Sequence, residues 1–158
     1  MDRTNLSRIA VDMMSIALAN LERDGHVAFV TMVVHKDGTM TPIMLSSTSS
    51  SNKQAFGAFL RRLSPDVDAI IIISEAWTLM PEDVDGTAFT MPVSQNPKRV
   101  EGVFVTAQSC YGELVLTKTF KRDKQNKPIV DGDILESWTS TPTESAGNFS
   151  SLFASKIE

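Results

Sequence analysis

Four consecutive isoleucines, Ile70 to Ile73, stand between Asp66-Val67-Asp68-Ala69 and Ser74-Glu75-Ala76-Trp77. Side chains on a strand alternate between its two faces, so an unbroken isoleucine run presents apolar surface to both. The run is too short for a long helix and is β-branched throughout, which predicts a strand over Val67–Ser74 in mid-sheet. Such a strand needs neighbours on each side and cover above and below. The rest of the chain must supply both.

The supply is visible on either side of the run. Leu6, Ile9, Ala10, Met13, Ile16, Ala17 and Leu21 recur at the helical period over residues 5–24, and Gly25 suits the left-handed residue that ends a helix. Val27 to Val34 is nearly continuous in apolar residues and reads as a strand covered on both faces. Asp37-Gly38 supplies a tight turn, and Thr39 to Leu45 returns as a second strand. Pro42 has no N–H to give to a ladder, which places this strand at an edge or gives it a bulge. Ser51 with Gln54 forms a capping box for a second helix, with Ala55, Phe56, Phe59, Leu60 and Leu63 as its buried stripe and Pro65 as its end.

After the isoleucine strand, "MPEDVDGTAFTMPVSQNPKR" holds three prolines and a glycine and reads as a long loop, of a length compact domains seldom keep without a task. Val100–Ser109 and Glu113–Lys121 read as two antiparallel strands joined near Tyr111-Gly112. A weak further hairpin is expected around Asp131-Gly132. The expected domain is residues 1–136, followed by a Ser/Thr-rich tail, 137–158, in which Phe149, Leu152, Phe153 and Ile157 have the spacing of a short terminal helix.

The expected fold class is therefore α+β: one antiparallel sheet of about five strands with two main helices packed on it, in the order α-β-β-α-β-β-β. That order resembles the roadblock and profilin-like arrangement, a likeness of topology that fixes no function.

Charge and motifs narrow the function. The net charge is -4 over 158 residues, and the one basic cluster, Lys121 to Lys127, is interrupted by Asp123. Nucleic-acid binding rests on a basic face, so it is not expected. No run reaches the roughly 18–20 apolar residues that span a bilayer. A single cysteine, Cys110, excludes an internal disulfide, and the acidic N-terminal stretch lacks the apolar core of a secretory signal. A cytoplasmic setting with no membrane partner is expected.

No phosphate-binding loop, dinucleotide fingerprint, HExxH, paired CxxC or GxSxG is present, so no cofactor is expected. His26 and His35 lie nine positions apart. Across an extended strand that is about 30 Å, too far to share a metal. Asp131, Asp133 and Glu136 lack the register of a calcium loop and read as a turn. No metal site is expected.

Glu75, Trp77, Arg99 and Glu101 remain. Glu75 and Trp77 share a strand face, and if the strand from Val100 lies beside the isoleucine strand, all four gather at one sheet margin. Arg99 then reaches Glu75 or Glu101 for a bidentate pair. Two readings follow. One is a structural ion pair with an aromatic plug. The other is a site in which Glu75 exchanges a proton, Arg99 holds an anion and Trp77 forms a wall.

The strings "ISEAWTL" and "SQNPKRVEGVFVTAQS" resemble a pattern in small uncharacterised bacterial and phage proteins, in which Ser/Thr-Glu-Ala-Trp at a strand end precedes Pro-x-Arg-x-Glu at a strand start. The matching positions are Ser74, Glu75, Ala76, Trp77, Pro97, Arg99 and Glu101, about a quarter of the chain. Lys98, in place of an acid, departs from the pattern, as does Val100 between Arg99 and Glu101. The family has no assigned activity, so the resemblance implies a shape for the site and no reaction.

The expected function is a non-enzymatic homo-oligomeric or adaptor protein, working by self-association or through a protein partner. Eight methionines and the apolar terminal segment are consistent with adaptable surfaces. The alternative is a small enzyme or ligand-binding domain with Glu75, Trp77 and Arg99 under the 81–97 loop.

Overall fold

A computed structural model describes residues 2–44, 54–55, 58–59, 62, 66–86, 90–130 and 132–139. Within them the chain forms helix α1 (Arg3–Asp24) and seven strands. The strands are β1 (Val30–His35), β2 (Met40–Met44), β3 (Val67–Thr78), β4 (Val100–Ser109), β5 (Gly112–Arg122), β6 (Pro128–Val130) and β7 (Leu135–Thr139).

Helix α1 starts where Asp2, in extended geometry, accepts a hydrogen bond from the Asn5 N–H at 2.8 Å. It ends where Gly25, at φ 80°, turns the chain out and donates its N–H to the Leu21 carbonyl. Its buried face is Leu6, Ala10, Met13, Met14, Ala17 and Leu21. Met14 takes the inward place expected of Ile16, which is 52% exposed. The spacing Ala10, Met14, Ala17, Leu21 follows the 3.6-residue period, and Ile16 falls beside it. Replacing Asp2 with alanine leaves the Asn5 N–H to water and is expected to cost about 1 kcal/mol of stability, read from the urea midpoint.

All seven strands join one curled antiparallel sheet, a half barrel, in the order β2-β1-β3-β4-β5-β6, with β7 also on β5. β3 is central, as its isoleucines require. Ala69, Ile71 and Ile73 face α1, where they meet Val103, Val105, Ala107, Leu114, Leu116 and Phe120 from β4 and β5. Ile70 and Ile72 face the other way and cluster with Val33 and Val67. Each fully buried side chain of this size contributes about 1.5–3 kcal/mol of transfer free energy.

β2 lies at one edge, as Pro42 requires. The His35 N–H donates to the Thr39 carbonyl in the turn, and strict alternation then makes Met32 and Pro42 a non-hydrogen-bonded pair. The Pro42 nitrogen points outward and removes a donor from the open edge, which discourages another strand from adding there.

The expectation of two helices packed on about five strands, and with it the roadblock and profilin-like arrangement, is overturned. The sheet has seven strands and the described residues contain one complete helix. Of the expected second helix, Gln54, Ala55, Ala58, Phe59 and Arg62 are described; they are helical but all exposed. Ala55 and Phe59 therefore do not form the buried stripe assigned to them. Phe56, Leu60 and Leu63 lie outside the described residues.

The additional strands are β6 and β7. Both pair with β5, β7 over Glu113–Thr117 and β6 over Phe120–Arg122, so they lie end to end along one edge instead of pairing with each other. In the link between them, Lys118 Nζ donates to the Gly132 carbonyl. β7 crosses the expected domain boundary at 136/137, and residues 140–158 lie outside the described residues. Among the described residues, no helix is long and apolar enough to cross a membrane.

Candidate functional site

β3 runs four residues beyond the expected Ser74 because β4 accompanies it to Val100. Glu75 pairs with Val103, Ala76 with Gly102, Trp77 with Glu101 and Thr78 with Val100. The polar end of the isoleucine run is thus still strand, held by its neighbour's ladder. Glu75 and Trp77 point to the α1 side, in line with Ile71 and Ile73, but beyond the region the helix covers. Trp77 is 44% exposed.

The four candidates do meet at this margin, in a pattern different from the expected one. Trp77 and Glu101 are direct cross-strand partners. Arg99 lies with its guanidinium carbon 4.6 Å from the Trp77 ring centroid, a cation–π stack. Arg99 also donates Nη1–H to the Asn96 carbonyl at 3.2 Å. Asn96 is itself buried, and its Oδ1 accepts from the Lys98 N–H, so a tight turn before β4 aims Arg99 at the indole. Arg99 forms no ion pair with Glu75 or Glu101 in the structure.

Glu101 pairs instead with Arg122 on β5, Nε to Oε2, at 2.9 Å, with both side chains about one-fifth exposed. Glu101 stands opposite Phe120, and Arg122 is two residues further along the same face, the diagonal position of a cross-strand pair. The Arg122 guanidinium also reaches over the Phe120 ring at 5.3 Å. Arg122 belongs to the site although by sequence it falls in the basic stretch Lys121 to Lys127. A signal for it exists: the turn expected near Tyr111-Gly112, formed by Cys110-Tyr111, fixes the β4–β5 register, and that register brings Arg122 to Glu101.

Glu75 accepts the Val27 N–H at 3.3 Å, tying the end of β3 to the segment between α1 and β1. Spacing gives no hint of this partner, since the two residues are 48 positions apart. Glu75, Ala76, Trp77 and Glu101 line a recess of about 150 Å³. All four come from β3 and β4; none belongs to the 81–97 loop. In that loop, Pro81–Asp83 and Val93–Gln95 form short 3-10 turns.

Chemically, the margin presents an indole with one cation stacked on it, one carboxylate in an ion pair and one carboxylate on a backbone N–H. His26 and His35 stand before and at the end of β1, and no group of three metal-ligating side chains occurs among the described residues. Cys110 is half-buried against the second apolar cluster. No family model, no curated protein and no solved structure matches the chain.

Proposed function

We propose that this chain is a non-enzymatic protein that associates with a second copy of itself through the Trp77 margin. The observation that carries the reading is the half-exposed indole at the end of the central strand, with Arg99 stacked on it. Trp and Arg in one patch are the residue types that dominate binding energy at protein interfaces. The patch also holds both signs of charge, Arg99 and Arg122 beside Glu75 and Glu101. A surface with both signs can set opposite charges face to face across a two-fold axis, which an isologous dimer requires.

Two facts support binding over catalysis. Each charged group of the margin already has a use: Glu101 with Arg122, Glu75 with the Val27 N–H, and Arg99 with the indole and the Asn96 carbonyl. The recess of about 150 Å³ also falls below the roughly 300–1,000 Å³ of ordinary small-molecule sites. A partner protein needs no deep pocket.

The test is mass in solution by light scattering for the parent chain and for Trp77→Ala. The parent is expected at twice 17.3 kDa and the variant at the monomer mass, with unchanged far-ultraviolet circular dichroism. Loss of the indole at an interface centre is expected to weaken association by at least about 2 kcal/mol, some thirtyfold. A variant that dimerises as the parent does would reject the assigned surface.

A further inference from the structure

We infer a small-molecule site at the same sheet margin, under the strap that follows β3, suited to a short zwitterionic peptide with apolar side chains. It goes beyond self-association and does not depend on it. A cavity of about 450 Å³ lies between the strap Met80–Asp83 and strands β4, β5 and β6. That volume falls within the range of ordinary ligand sites, and it is three times that of the recess at Trp77.

The lining gives the chemistry. Met80, Val100 and Ile129 supply apolar wall, and Ile129 is 51% exposed, a large aliphatic side chain left open to water. Glu82 and Asp83 bring two carboxylates on the strap, in the first turn of the Pro81–Asp83 helix. Lys121 brings one ammonium from β5, directly across from Ile129 on β6. Among the described residues none of these three charged side chains has an ion-pair partner.

This site is distinct from the Trp77 patch in its lining: Phe120 borders it, but Trp77, Arg99 and Glu101 do not. Val100 and Lys121, the neighbours of the paired Glu101 and Phe120, face away from α1. A cavity lined by acids from the strap, a cation from the strand and apolar side chains matches a ligand that carries an ammonium, a carboxylate and aliphatic groups. A fatty acid would leave Glu82 and Asp83 uncompensated, and an aliphatic amine would leave Lys121 so.

Leucyl-leucine is the probe, titrated calorimetrically into the full chain beside its N-acetyl and C-terminal amide forms. The free dipeptide is expected to bind. Each cap is expected to weaken binding about fivefold, the value of one exposed charge pair. Lys121→Met should abolish the distinction between dipeptide and amide alone, and Glu82→Gln with Asp83→Asn the distinction between dipeptide and N-acetyl form alone. These substitutions are at surface side chains, and the folded state is checked by circular dichroism. Absence of binding at about 1 mM dipeptide, equal binding of all three forms, or binding indifferent to the substitutions would each overturn the proposal. Trp77→Ala is expected to leave the affinity unchanged, so the two readings stand or fall separately.

Discussion

Ile71→Ala is expected to lower the stability of the chain by about 3 kcal/mol, a large loss for a single truncation. Ile71 is fully buried in the central strand, between Met32 on β1 and Ala107 on β4, and its side chain meets the α1 layer. Truncation removes three carbons from a site where both neighbouring strands are fixed by ladder hydrogen bonds, so the walls cannot collapse into the void. Urea denaturation measures it: with a slope near 2 kcal/mol/M the midpoint falls by about 1.5 M. A loss below about 1 kcal/mol would mean that the sheet relaxes around the gap and that β3 is not its rigid centre.

The second large effect concerns a buried polar pair that carries no signature in the sequence. Gln108 on β4 and Glu113 on β5 are direct partners across the hairpin, 1% and 3% exposed, and Gln108 Nε2 donates to Glu113 Oε2 at 2.7 Å. Gln108 Oε1 has no hydrogen-bond partner. Glu113→Leu therefore leaves a buried amide with neither end satisfied, a cost of about 2 kcal/mol. Adding Gln108→Leu removes the stranded amide and is expected to restore stability to the parent value or above it. In a double-mutant cycle the two positions should couple by about 2 kcal/mol. Simple additivity of the two substitutions would show that the bond contributes nothing.

Why the sequence discloses some of this and not the rest follows from where each signal lies. The isoleucines announce β3 because both parities are apolar, and Tyr111-Gly112 announces the β4–β5 hairpin because a turn separates two apolar runs. The extension of β3 through Glu75, Ala76 and Trp77 carries no such signal. It exists because β4 offers four further partners there. β6 and β7 are only three and five residues long, and the edge of β5 makes strands of them. Of the expected second helix, Ala55 and Phe59 are exposed, because the period of an apolar stripe does not by itself decide which of its side chains are covered.

The margin is legible in part for the same reason. Parity places Glu75 and Trp77 on one face, and the neighbouring strand brings Glu101 and Arg99 to them. Proximity in sequence then suggests Arg99 as the partner of a carboxylate. Arg122 is the partner instead, because its diagonal position reaches Glu101 while the turn at Asn96 holds Arg99 over the indole.

The most direct test of the Trp77 surface is the emission of Trp77 against protein concentration, with Trp138 replaced by phenylalanine and the mass followed in parallel. If the indole lies at a self-association interface, its emission moves to the blue as the mass rises from 17.3 kDa to twice that value, and both changes share one midpoint. A mass that stays at 17.3 kDa with an unmoved emission, or a dimer that forms without moving it, would contradict self-association through Trp77.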